Sequence, residues 1–193
     1  MEYYHSKYGG SVKRKRKSGK RKILFWFIFL IVILLTIVFY YIHGIVFNAN
    51  TWAADDKPVS VIIPSGSDFN EVKTILYGKG LILKRKDFEW LAKKKNYPDK
   101  IIPGRYLLKK GMSNNELINL LRSGNQTPVD VIFNNVRDIY HLAGKVSKQI
   151  EADSASIIKK LSDPAFLNQK GLSRETVSTI FIPNTYEFYW TTG

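Results

Sequence analysis

The sequence predicts an α+β chain behind one N-terminal membrane helix. Three observations carry that reading. Residues 23–42, ILFWFIFLIVILLTIVFYYI, are twenty positions without a charge. Residues 58–124 then alternate short β-branched runs with amphipathic stretches, in the order strand, helix, helix, strand, helix. From about Thr127 a strand, a turn and a capped helix begin again, so a second α+β unit starts there.

The apolar run is the first element. At about 1.5 Å per residue, a helix of this length covers roughly 30 Å, the hydrocarbon thickness of a bilayer. It is too long for a secretory h-region of roughly 7–15 residues. The following HGIVFNANTWAADD offers a poor small-x-small cleavage site. The run therefore reads as an uncleaved signal-anchor, with a buried core helix as the competing reading; charge-free runs this long are rare in soluble cores. Trp26 at one end and Tyr40 and Tyr41 at the other suit the interfacial aromatic belts.

Charge gives the orientation. The formal charge is +14, but residues 1–22 hold nine Lys/Arg against one Glu, so about +8 lies in a tail that abuts lipid. Such clusters stay cytoplasmic and are held by an anionic inner leaflet, which places the rest of the chain outside. A nucleic-acid partner is not expected, because the basic run ends where the membrane begins. Cysteine is absent, which leaves the redox compartment open.

Residues 44–57 read as a linker, broken by Gly44, Asn48, Asn50 and Asp55-Asp56. Val59–Ile63 is a β-branched strand closed by Pro64-Ser65-Gly66. Asp68 and Glu71 form a capping-box variant before Phe69, Val72, Ile75 and Leu76 on one helical face. A second helix starts at Asp87 and places Phe88, Leu91 and Ala92 inward, with Lys93–95 at its C-terminal end, where cations suit the helix dipole. Pro103-Gly104 precedes a strand at 105–108. Ser113 and Glu116 cap a third helix with Leu117, Ile118 and Leu121 inside, ended by Gly124.

The second unit opens on Val129-Asp-Val-Ile-Phe, an echo of Val59-Ser-Val-Ile-Ile. Asp138 caps a helix with Ile139, Leu142, Ala143, Val146 and Ile150 at helical spacing. A short helix is expected at 154–161, a restart at Asp163-Pro164 and a loop at Gly171. The last stretch, 180–190, is IFIPNTYEFYW.

That stretch is the most distinctive piece outside the membrane. Aromatic faces beside amide and hydroxyl groups suit sugar rings, through stacking and hydrogen bonding. The candidate substrate-binding residues are Asn184, Thr185, Tyr186, Glu187 and Tyr189. An ordinary strand-turn-strand core is the other reading. Glu187 is either a partly buried acid among aromatics or an exposed strand residue between Tyr186 and Phe188. Glu175, in Ser-Arg-Glu, reads as solvated. His5, His43 and His141 are isolated, so no metal site is expected, and no phosphate-binding, dinucleotide or nucleophile-elbow motif occurs.

Four segments in this order (VSVIIPSGSDFNEVKTIL, GLI with DFEWLAKK, IIPGRYLLKKGMSNNELINLLRSG and FIPNTYEFYW), behind a basic tail and one membrane helix, resemble the membrane-bound endolytic murein transglycosylases of bacteria, the MltG/YceG-like family. The resemblance implies domains at 1–22 (cytoplasmic tail), 23–43 (anchor), 44–57 (linker), 58–126 (a LysM-like module) and 127–193 (the start of a catalytic domain). It implies cleavage of the β-1,4 bond between N-acetylmuramic acid and N-acetylglucosamine in nascent strands, leaving a 1,6-anhydro end and terminating elongation. No cofactor is implied. The implied partners are glycan strands, the bilayer, and peptidoglycan synthases or division machinery. The implied location is the bacterial inner membrane, single-pass, with the C-terminal part extracytoplasmic.

Two departures matter. The family's catalytic glutamate lies well after P-[DN]-T-Y, in a segment resembling A-S-I-I-E-K-E. No such segment occurs before Gly193, so the chain is expected to be truncated, with the acid beyond Gly193 and no catalytic residue assigned within it. Asn134-Asn135 stands where relatives often carry Glu-Gly. The alternative function is a non-catalytic, membrane-anchored peptidoglycan-binding scaffold.

Overall fold

The computed structural model describes residues 18–134 and 136–193. Most of the basic tail, with His5, lies outside the described residues, as does Asn135. The chain divides into two units, Met1–Ile42 and His43–Gly193.

Helix α1 (Ser18–Phe47) supplies the described part of the first unit. Its large apolar side chains, from Ile23 at 71% exposure to Ile42 at 39%, are not covered by protein. The Thr36 hydroxyl donates to Val32 O at 2.8 Å, so it is satisfied within the helix. The stretch long and apolar enough to cross a membrane is Lys20–Phe47. The helix thus runs past position 42: Gly44 costs a helix only about 1 kcal/mol relative to Ala, and no proline intervenes.

Residues 44–57, expected as a linker, are threaded into the second unit. Ile45, Asn50, Thr51 and Ala53 are buried. Ala49 bridges to Ser113 and Thr51 to Ile82, both antiparallel. Gly44 lies inside α1 and breaks nothing; the helix ends before Asn48, and the chain beyond it is fixed.

The first part of this unit is built from β1 (Val59–Ile63), α2 (Phe69–Gly78), α3 (Arg85–Lys94), β2 (Gly104–Leu108) and α4 (Asn114–Ser123). Strands β1 and β2 pair antiparallel, Val59 opposite Leu108 and Ile63 opposite Gly104. Alternation sends Val61, Ile63, Tyr106 and Leu108 to one face, where they meet Val72, Leu76, Phe88, Leu117 and Leu121, all fully buried. Each large apolar side chain so buried contributes about 1.5–3 kcal/mol. Both expected capping boxes are closed: Asp68 with Glu71, and Ser113 with Glu116. Gly124 ends α4 at φ 69°, a left-handed conformation that favours glycine.

Helix α3 starts at Arg85, ahead of the expected Asp87, which sits in its first turn instead. Its N-cap, Lys84, makes no side-chain cap. Asn50 instead fixes Lys84 itself from afar: its Oδ1 accepts from Lys84 N at 2.6 Å and its Nδ2 donates to Lys84 O at 3.1 Å.

The second part runs β3 (Val129–Phe133), α5 (Ile139–Val146), α6 (Ser154–Leu161), α7 (Pro164–Gln169), a 3-10 turn (Val177–Ile180) and β4 (Asn184–Phe188). Asp138, Asp153 and Asp163 cap the three helices by accepting from His141 N, Ser156 N and Ala165 N. Helix α5 stops at Val146, short of the expected Ile150, which still reaches the core through a turn. Strands β3 and β4 pair antiparallel, Val129 opposite Phe188 and Phe133 opposite Asn184.

Candidate functional site

The Pro-Asn-Thr-Tyr segment forms the start of β4, and its period of two divides the five candidate residues. Tyr186 lies on the inner side. Its ring stacks on Phe133, with centroids 5.3 Å apart and planes 9° apart, and its hydroxyl donates to Ile182 O at 2.9 Å. One ring face and the hydroxyl are thus engaged in holding the ribbon. Asn184 is exposed, and its Oδ1 accepts from Thr185 N at 2.8 Å. Thr185 and Glu187 are exposed on the other side of the ribbon, and Tyr189, just past the strand, is 56% exposed.

Asn184, Thr185, Glu187 and Tyr189 are therefore the exposed candidate residues, Asn184 on the Tyr186 side of the ribbon and Thr185 and Glu187 on the other. The register adds two that the sequence reading did not include: Asp130 stands directly opposite Glu187, and Ile132 opposite Thr185. Two exposed carboxylates, a hydroxyl and an isoleucine side chain line this side. Such a surface can accept hydrogen bonds from sugar hydroxyls and offers apolar contact to a ring. The burial that an acid reading of Glu187 requires is not there.

The other carboxylates of the second part are committed elsewhere. Asp138, Asp153 and Asp163 cap helices. Glu175 accepts from the Ser173 hydroxyl at 2.6 Å, which holds its carboxyl below the usual range. Glu151 reaches the turn after β1, where it accepts from Ser65 N and Ser65 Oγ, both at 2.6 Å. Its own N–H donates to Trp190 O at 2.8 Å. One residue so joins the Pro-Ser-Gly turn to the end of the aromatic stretch. Arg105 adds a second tie, to Pro128 O. Nothing in the local sequence around Glu151 signals this role; Ser65 was legible only as a turn residue.

Inside the ribbon lies an apolar cleft of about 270 Å³, lined by residues that include Val131, Phe133, Leu142, Leu161, Phe181 and Tyr186. It holds no polar side chain beyond the Tyr186 hydroxyl, so it is unsuited to a sugar. Among the described residues no His/Cys/Asp/Glu group could hold a metal ion.

The model of the YceG-like family matches residues 61–193, from the middle of β1 through the whole ribbon. The chain belongs to the YceG-like family. This YceG-like chain is also similar to proteins named endolytic murein transglycosylase from two Streptococcus pneumoniae strains, D39 and R6. Identity is 40% over 72 residues, which is 37% of this chain and 13% of the length of either relative. A solved structure of a yceG-like protein from Listeria monocytogenes aligns at a TM-score of 0.44 and 20% identity, over 69% of this chain and 48% of that one.

Proposed function

We propose that this YceG-like chain is the membrane-anchored, glycan-engaging part of an endolytic murein transglycosylase. Its substrate is nascent, uncrosslinked glycan. The reaction breaks the N-acetylmuramic acid–N-acetylglucosamine β-1,4 bond and leaves a 1,6-anhydro end, which terminates elongation. The family match across the ribbon carries this reading, supported by the pneumococcal relatives' name. Helix α1 is the anchor, with the tail cytoplasmic and residues beyond Phe47 on the wall side. The order β1, α2, α3, β2 with one antiparallel strand pair supports a LysM-like reading of residues 58–126.

In this reaction one carboxyl serves as acid to the leaving oxygen and then as base for the muramic 6-hydroxyl. That role needs a carboxyl protonated at neutral pH, which burial or a nearby like charge favours. Glu187 and Asp130 are exposed, Glu175 is shifted the wrong way, and Glu151 is bonded to Ser65. We therefore assign no acid–base role to these four carboxylates, and assign Thr185, Glu187 and Tyr189 to holding the strand.

The test uses the full chain in detergent with purified uncrosslinked glycan strands, measuring retention on the glycan and products by mass spectrometry. Binding that Glu187→Gln with Tyr189→Ala weakens about tenfold, without anhydro-muramyl ends, is expected. Anhydro ends would place an acid within this chain and overturn that assignment. Absence of binding would overturn the glycan-engaging role.

A further inference from the structure

Scattered exposed apolar residues are normal on a soluble surface. Three in this chain are not scattered. Phe47, Trp52 and Leu83 are 56%, 47% and 59% exposed. Phe47 is the last residue of α1. Trp52 and Leu83 sit on two paired segments: Trp52 N donates to Leu81 O at 2.9 Å, and Leu83 N to Asn50 O at 3.0 Å, on either side of the Thr51–Ile82 bridge.

The chain between Phe47 and Trp52 has no slack. Ile45 O accepts from Asn114 Nδ2 at 2.8 Å, and Asn50 and Thr51 are buried. Even fully extended, five residues span at most about 18 Å. Trp52 is thus held close to the end of the apolar helix.

The charges around these residues are mainly basic. Exposed Lys84, Arg85 and Lys86 follow Leu83 directly. Lys109 O accepts from the Thr51 hydroxyl, which puts exposed Lys109 and Lys110 beside Trp52's neighbour. The acidic residues nearby are Asp55, Asp56 and Asp87, which follows Lys86; Asp56 pairs with Lys110 at 3.2 Å, and the Arg85 guanidinium lies over the Tyr77 ring at 4.6 Å. Tryptophan prefers the headgroup level of a bilayer, and Lys and Arg near an anionic surface are attracted to it.

We propose that Phe47, Trp52 and Leu83, with Lys84, Arg85 and Lys86, form a lipid-docking surface that enters the headgroup region of the bilayer crossed by α1 and contacts its anionic lipids. The ligand is the outer leaflet itself. This proposal rests on the anchor reading of α1, and the experiment separates the two.

The full chain is reconstituted into vesicles of phosphatidylcholine with a minority of phosphatidylglycerol, with and without brominated acyl chains. One variant (Trp26→Phe, Trp90→Phe, Trp190→Phe) retains Trp52; a second (Trp52→Phe, Trp90→Phe, Trp190→Phe) retains Trp26. Both are expected to lose about half or more of their emission to bromine near the headgroups. Adding Leu83→Glu, a change at an exposed position, should return most of the Trp52 emission and leave Trp26 quenched. Quenching of Trp26 with Trp52 emission unchanged would overturn the docking surface and leave the anchor standing. If neither is quenched, the anchor reading falls and the docking surface falls with it.

Discussion

Asn50 shows how much one side chain outside any helix or strand can organise. It is 2% exposed, and its amide engages both backbone groups of Lys84 while its Nδ2 also donates to Asn114 Oδ1 at 2.6 Å. Asn114 in turn donates to Ile45 O. Two buried amides therefore tie together the end of α1, the start of α3 and the start of α4. Each buried polar group left without a partner costs about 1–3 kcal/mol. Asn50→Ala orphans several at once, so a loss of about 3 kcal/mol is expected in urea unfolding of the full chain in detergent. A linker residue would change stability by about 0.5 kcal/mol or less, and such a result would remove Asn50 from this role. The amide looks like a helix breaker in sequence, because its partners lie 34 and 64 positions away.

The elements rest on local signals of unequal reach. Glu116 lies in the α4 capping box, where hydrogen bonds from the backbone and hydroxyl of Ser113 hold its carboxyl below the usual 4.5. A folded-state value depressed in this way stabilises the fold above the unfolded value, and the contribution is lost as pH falls through the lower folded value. Glu116→Gln keeps the reach to Ser113 without the charge. Its urea midpoint should fall below that of the parent at neutral pH, and the gap should narrow as pH falls below 4.5 and Glu116 is protonated in both states; a gap constant with pH would contradict the linkage. The ribbon is tested at Tyr186. Tyr186→Ala removes the ring stacked on Phe133 and is expected to cost about 3 kcal/mol; Tyr186→Phe loses only the bond to Ile182 O, about 1 kcal/mol. Equal losses would mean that the hydroxyl, rather than the stack, holds the ribbon. The limits of β1, β3 and α6 and the caps Asp68, Ser113 and Asp138 were legible in sequence, because period and capping are written within a few residues. The pairing of Asp130 with Glu187, and of Ser65 with Glu151, was not, because register and long-range contacts depend on tertiary closure.

For the whole molecule the deciding question is which side of the membrane each end occupies. The nine Lys/Arg before the apolar run predict a cytoplasmic N-terminus, since such clusters resist translocation. The basic surface beyond the helix works weakly against that prediction: Lys84, Arg85 and Lys86 lie in the long C-terminal part, where distance from the span and fold translocation reduce the effect of charge. The tail should win. The chain has no cysteine, so single thiols report topology without background. Ser11→Cys marks the tail, and Ala155→Cys marks an exposed position on α6. In intact spheroplasts a membrane-impermeant maleimide is expected to label Ala155→Cys and to label Ser11→Cys only after lysis. Replacing the basic residues at 13–17 and 20–22 with Gln should weaken that asymmetry, because the same apolar helix then has no side preference from its leading flank. Labelling of Ser11→Cys in intact cells, with Ala155→Cys protected, would put the ribbon in the cytoplasm, away from any glycan strand, and the proposed substrate would be out of reach.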